Sequence, residues 1–140
     1  MSDFLEDVTR AFGGLIAKGA LALASHRHDA AMFGNAIVVL AGGDVRIRLV
    51  RDRGDVFADA ASAQSAEDWA PLERVLEAVG APDPPPEGAM TTMRAAALVE
   101  RHVAALAAGL APARADTTRG RLAELARART AEALRNFKRP

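Results

Sequence analysis

Residues 36–61 read AIVVLAGGDVRIRLVRDRGDVFADAA. Three runs rich in β-branched residues, Ala36–Ala41, Val45–Arg51 and Val56–Ala61, are separated by Gly-Gly-Asp and Asp-Arg-Gly-Asp. Such runs signal strands joined by tight hairpins, because glycine accepts the positive φ that two-residue loops need. The stretch predicts a three-stranded antiparallel meander. With Gly42–Gly43 and Arg53–Gly54 as the loops, Val39 faces Arg46, Ile37 faces Arg48, Val50 faces Phe57 and Arg48 faces Asp59. One sheet face then carries Val38, Leu40, Val45, Ile47, Leu49, Val56 and Ala58, a core face. The other carries Ile37, Val39, Arg46, Arg48, Val50, Phe57 and Asp59, an apolar surface studded with charge.

Helical periodicity flanks this block on both sides. Asp3 and Glu6 have the spacing of a helix cap and its reciprocal partner, and Phe4, Leu5, Val8, Phe12, Leu15 and Ile16 recur every three to four residues. They predict a helix over residues 3–18, weakened by Gly13, Gly14 and Gly19; Ala20–Ala24 reads equally as helix or extended chain. Downstream, Pro71 suits a first helical turn, and Leu72, Val75, Leu76 and Val79 form a short stripe ended by Gly80. Trp69, at the entry to this helix, reads as a core anchor for Leu72 and Leu76. Residues 81–89 form a stiff Pro-rich connector. Thr91 or Thr92 caps a helix to about Ala108 with Leu98, Val99, Val103 and Leu106 inward. Asp116 or Thr117 opens a last helix with the stripe Leu122, Leu125, Ala126, Ala133 and Phe137. The expectation is a single α+β domain over residues 1–140: a helix–meander–helix core (1–80), the connector (81–89) and C-terminal helices (90–140), with three helices packed on the sheet.

At 140 residues the chain has the size of one domain and needs no covalent staples. It has no cysteine, which excludes disulfides, thiolate nucleophiles and Cys-ligated metal sites. Asp3, Glu6 and Asp7 stand where a signal peptide carries positive charge, and no uncharged apolar run is long enough to span a bilayer. A cytoplasmic protein without membrane contact is expected. The net charge of zero hides an asymmetry: residues 1–113 hold 10 Lys+Arg against 15 Asp+Glu, residues 114–140 hold 8 against 3. A basic tail can contact nucleic acid or lie on its own acidic body. Arg119, Arg121, Arg127, Arg129, Arg135, Lys138 and Arg139 spread around the helix instead of lining one stripe, which favours the second.

Phe33-Gly34-Asn35, the strand Ile37–Leu40, the run Arg46-Ile47-Arg48-Leu49-Val50-Arg51-Asp52-Arg53-Gly54, Val56-Phe57 and the Trp69–Leu76 helix form a combined pattern. It resembles that of small, largely uncharacterised bacterial proteins, some similar to immunity proteins encoded beside secreted toxins. The resemblance covers residues 33–80 and implies an α+β fold with a non-enzymatic, protein-binding role.

Chemistry-bearing motifs are sparse. His26-Arg27-His28-Asp29 offers two imidazoles on one side of an extended strand, and with a carboxylate and His102 it could hold zinc for a metal-dependent hydrolase. The cluster is similar to the His-x-His-x-Asp-His element of metallo-hydrolases, but Asp29 stands one position early and no further His follows. A polar exit from the first helix, where His suits the negative end of the helix dipole, is the favoured reading. Arg53-Gly54-Asp55 reads as a hairpin tip. No phosphate-binding glycine loop or nucleophile elbow is present, and Asp52/Asp55 flank a turn. No catalytic residue and no cofactor is expected, and no metal, with His26 and His28 the only candidates.

The residues that point furthest are Arg46, Arg48, Val50, Phe57 and Asp59. Arginines on a rigid strand among apolar neighbours suit a protein-binding patch. The competing reading has a C-terminal helix cover this face, with Glu124 or Glu132 pairing the arginines. The expected function is a non-catalytic protein-binding domain of immunity type, its partner another protein such as a toxin, with a homodimer as a further partner state. Nucleic-acid binding through the basic C-terminal helix and the His26/His28 hydrolase are the alternatives.

Overall fold

The computed structural model describes residues 3–29, 35–65, 68–82 and 88–137. Residues 83–87 of the Pro-rich connector, Phe33 and Gly34 of the 33–80 pattern, and Lys138 and Arg139 lie outside the described residues, as does the side chain of Asp29. The element order is α1 (Asp3–Ala11), α2 (Gly13–Ala17), β1 (Ala22–Asp29), β2 (Asn35–Gly42), β3 (Val45–Asp52), β4 (Asp55–Ser62), β5 (Ala70–Pro71), α3 (Leu72–Ala78), α4 (Thr92–Leu110) and α5 (Ala115–Phe137). The fold is α+β, with one antiparallel sheet in the order β1-β2-β3-β4-β5.

The three anticipated strands are therefore the centre of a five-stranded sheet, not the whole of it. Strand β1 adds the undecided segment and the His26–Asp29 stretch; β5 adds two residues before α3. The β3–β4 register agrees with the sequence reading, with Val50 opposite Phe57 and Arg48 opposite Asp59. The β2–β3 register does not. Val39 pairs with Arg48 and Ile37 with Val50, a displacement of two residues, because the loop is Gly43–Asp44 and Gly42 still pairs with Val45. Side chains alternate with a period of two, so a two-residue slip keeps every residue on its expected face.

Gly42 is glycine for a different reason than the turn. A Cβ there would stand 1.8 Å from the carbonyl oxygen of Ala20, where the chain enters β1. Gly43, with φ +55° and open space around it, is the residue that serves the hairpin.

One buried cluster draws on α1 through α4: Phe4, Val8, Phe12, Leu15, the inner sheet face from Val38 to Leu49, Leu72, Leu76, Val99 and Leu106. Each such side chain contributes roughly 1.5–3 kcal/mol on burial. Thr91 caps α4, its Oγ1 accepting from the Arg94 amide at 3.1 Å. Helices α3 and α4 contact the sheet at β4, and α1 contacts it at β2. Helix α5 packs chiefly on α3 and α4, whereas the expectation was that all three C-terminal helices pack on the sheet. Its stripe is half-buried only at Leu122, Leu125 and Ala126; Ala133 and Phe137 are exposed.

The C-terminal end of α4 is held by two buried hydroxyls. Ser62 Oγ donates to the Leu110 carbonyl at 3.0 Å, and Thr118 Oγ1 donates to the Gly109 carbonyl at 2.6 Å. They supply the partners that the last carbonyls of a helix lack. The close approach requires Gly109, where a Cβ would lie 2.2 Å from Val79 Cγ1. Gly109→Ala is expected to cost roughly 1–3 kcal/mol by overpacking. Urea unfolding should show part of the loss recovered in the Gly109→Ala/Val79→Ala double variant, since shortening Val79 removes Cγ1, the atom struck hardest, and leaves only its Cβ at 2.8 Å.

Candidate functional site

Helices α1, α3 and α4 all contact the inner face of the sheet, where Ala36, Val38, Leu40, Ile47, Leu49, Ala58 and Ala60 are buried. The outer face keeps Ile37 and Phe57 exposed, at 36% and 51%, with Val39 and Val50 half-buried. Among the described residues no C-terminal helix covers this face, and Glu124 and Glu132 are exposed on α5, so the competing reading does not hold.

Strand pairing arranges the outer face in rows. One row runs Arg27, Ile37, Val50, Phe57 across β1 to β4, and the next runs Ser25, Val39, Arg48, Asp59, Pro71 across all five strands. The first is an apolar bar ending in a cation. The second centres on an ion pair: Arg48 donates through Nε and Nη2 to Asp59 Oδ2 at 3.0 and 2.9 Å. Their side chains are only 31% and 16% exposed, so solvent screens this pair less than it would a free surface pair.

Arg46 lies one row further on. Its Nε donates to the Ser62 carbonyl at 3.2 Å, and its Nη2 donates to the Ser65 carbonyl. Both guanidinium carbons stand 4.6 Å from the centroid of the Trp69 ring. Trp69 thus belongs to the outer face, half-buried against two cations, and not to the core beside Leu72 and Leu76. The sequence signal was present: a lone indole two residues before Pro71 and two arginines at alternate strand positions, which an aromatic face can hold together.

The five residues singled out from the sequence are gathered on one face, but they play two parts. Val50 and Phe57 belong to the open apolar bar with Ile37. Arg46, Arg48 and Asp59 are engaged by their own chain, so the arginine forks do not stand free for a partner. They form a fixed cationic shoulder, locked by Trp69, Ser62, Ser65 and Asp59, beside the bar.

His26 and His28 lie on β1 opposite Val38 and Ala36, which places them on the inner side of the sheet. Both are exposed, because β1 extends beyond the shelter of the helices. His102 is on α4. Among the described residues no group of three or more His, Asp or Glu side chains could hold a metal ion. On α5, Arg119 pairs with Asp68 at 3.2 Å and Asp116 at 3.0 Å, and Arg129 pairs with Glu77 at 3.6 Å. Part of the basic tail thus answers acidic groups of its own chain. No helix among the described residues is long and apolar enough to cross a membrane.

Comparison with protein-family models, with curated proteins and with solved structures finds no match to this chain.

Proposed function

We propose that this chain is a non-catalytic protein-binding domain that presents its outer sheet face to an apolar protein surface rimmed by carboxylates. The observation that carries the reading is the apolar bar Ile37–Val50–Phe57, exposed at Ile37 and Phe57, lying beside a pre-ordered cationic shoulder. Apolar side chains on a rigid sheet lose little freedom on docking, and exposed Arg27 with the held Arg48 supplies positive charge at its margin. The resemblance of residues 33–80 to immunity-type proteins supports a secreted toxin as the partner.

The test is direct binding to the product of the gene adjacent to its own, by co-purification and calorimetry. Ile37→Asp and Phe57→Asp should each weaken association at least tenfold, as expected where about 1.4 kcal/mol or more is lost at an interface centre. Arg127→Glu, on the exposed side of α5, should leave it unchanged. Undiminished association in both sheet-face variants would remove the outer face from the binding site.

A further inference from the structure

We infer that the groove along the open edge of β4 takes an extended peptide segment carrying a carboxylate, with Arg74 as the group that receives the charge. The groove has a volume of about 340 Å³, and its lining includes Val56, Phe57, Ala58, Asp59, Arg74 and Met90. Four consecutive residues of one strand point alternately to opposite faces. They can line one groove only where it runs along the strand's edge.

That edge is open for a structural reason. Strand β5 pairs with β4 only at Asp59–Pro71 and Ala60–Ala70. Pro71 has no N–H to continue the ladder, and the chain turns into α3 at Leu72. Among the described residues, no strand adjoins β4 on that side over residues 55–58. Unpaired backbone groups on a strand edge accept an added strand, with the groove walls selecting its side chains.

The charges around the groove specify what that segment carries. Asp59 is held by Arg48, Glu73 stands 4.0 Å from Arg94, and Arg129 at the groove pairs with Glu77. Arg74 is left over. Among the described residues its buried Nε has no hydrogen-bond partner. The Nε of Arg94 is likewise unpartnered, but that guanidinium has Glu73 beside it. Arg74 lines a groove of mixed character that also holds Asp59, Glu73 and Arg129, and a guanidinium there without an acceptor of its own is complementary to a carboxylate, which accepts from it through a charge-assisted bond. Val56, Phe57 and Met90 then suit apolar residues on either side of that acid.

This inference goes beyond the outer-face reading and is tested apart from it. A displayed library of random octapeptides is selected on the full chain, and the enriched sequences are synthesised. They should share one Asp or Glu at a fixed position among alternating apolar residues. Replacing that acid by its amide, or Arg74 by Met, should each weaken binding about tenfold or more, as loss of a charge-assisted bond does. Ile37→Asp should leave it intact. On the unaltered chain, the peptide should slow amide hydrogen exchange within residues 55–58, a readout independent of whether any variant folds. No enrichment, enriched sequences without an acid, equal binding to Arg74→Met, or dependence on Ile37 instead of Arg74 would each overturn the assignment.

Discussion

Gly42→Ala is expected to destabilise the domain by roughly 3 kcal/mol or more, the upper range for a substitution that forces a packed structure apart. The added methyl would sit 1.8 Å from the Ala20 oxygen and 2.8 Å from its carbonyl carbon. Both are backbone atoms, so no side-chain rotation relieves the overlap. Either β2 or the segment leading into β1 must move, and the β1–β2 ladder that starts at Ala22–Ala41 moves with it. Gly43→Ala is the informative control. Its site has φ +55° with nothing within 4 Å, so the substitution meets only the backbone penalty of about 1–2 kcal/mol for a left-handed residue. Urea unfolding followed by circular dichroism should rank Gly42→Ala well below Gly43→Ala. Equal losses would mean that the carbonyl does not pass so close.

The second large effect is expected at Trp69. Trp69→Ala removes the ring against which two guanidinium groups rest, each contact worth about 0.5–2 kcal/mol according to its exposure, along with the apolar area the ring covers. A loss of roughly 2–3 kcal/mol is the expected result in the same unfolding experiment. Trp69→Phe should recover part of it, because a smaller aromatic face still attracts a cation. The consequence for binding is separable from the consequence for folding. Without the ring, Arg46 and Arg48 keep their bonds to Ser62, Ser65 and Asp59 but lose the surface that fixes their height above the sheet. If Trp69→Ala is as stable as the parent, the ring is a bystander and the shoulder is held by hydrogen bonds alone.

The central strands were legible because their side chains alternate between a closed core and an open face. That alternation is written directly into Val38, Leu40, Ile47 and Leu49 against Arg46 and Arg48. The β2–β3 register was misjudged because two adjacent glycines present identical turn chemistry, whereas only Gly43 serves the turn. Gly42 answers to Ala20, more than twenty residues away, and no local rule reports that. Strand β1 is undecided in the sequence for a physical reason as well. Residues 22–28 are exposed on both faces, so no apolar side of Ala-Leu-Ala-Ser-His-Arg-His had to be hidden, and a strand with nothing to hide has no period.

At the candidate site, face membership was legible and engagement was not. Alternation placed Arg46, Arg48, Val50, Phe57 and Asp59 together, but no local pattern reveals that the carbonyls of Ser62, at the end of β4, and Ser65 and the ring of Trp69 meet the arginines. Arg74 escaped notice for the same reason. A lone arginine in a seven-residue helix is ordinary in sequence. Its meaning comes from the absence, among the described residues, of an acceptor for its Nε.

The placement of Trp69 also gives the chain a built-in optical reporter. With one tryptophan and no tyrosine, ultraviolet emission excited at long wavelength arises from a single indole. That indole stands on the exposed sheet face between two positive charges, so its spectrum senses the local field and solvent there. Docking on this face would shift the emission without any label attached, whereas a ligand confined to the distant helical end would leave it where it was.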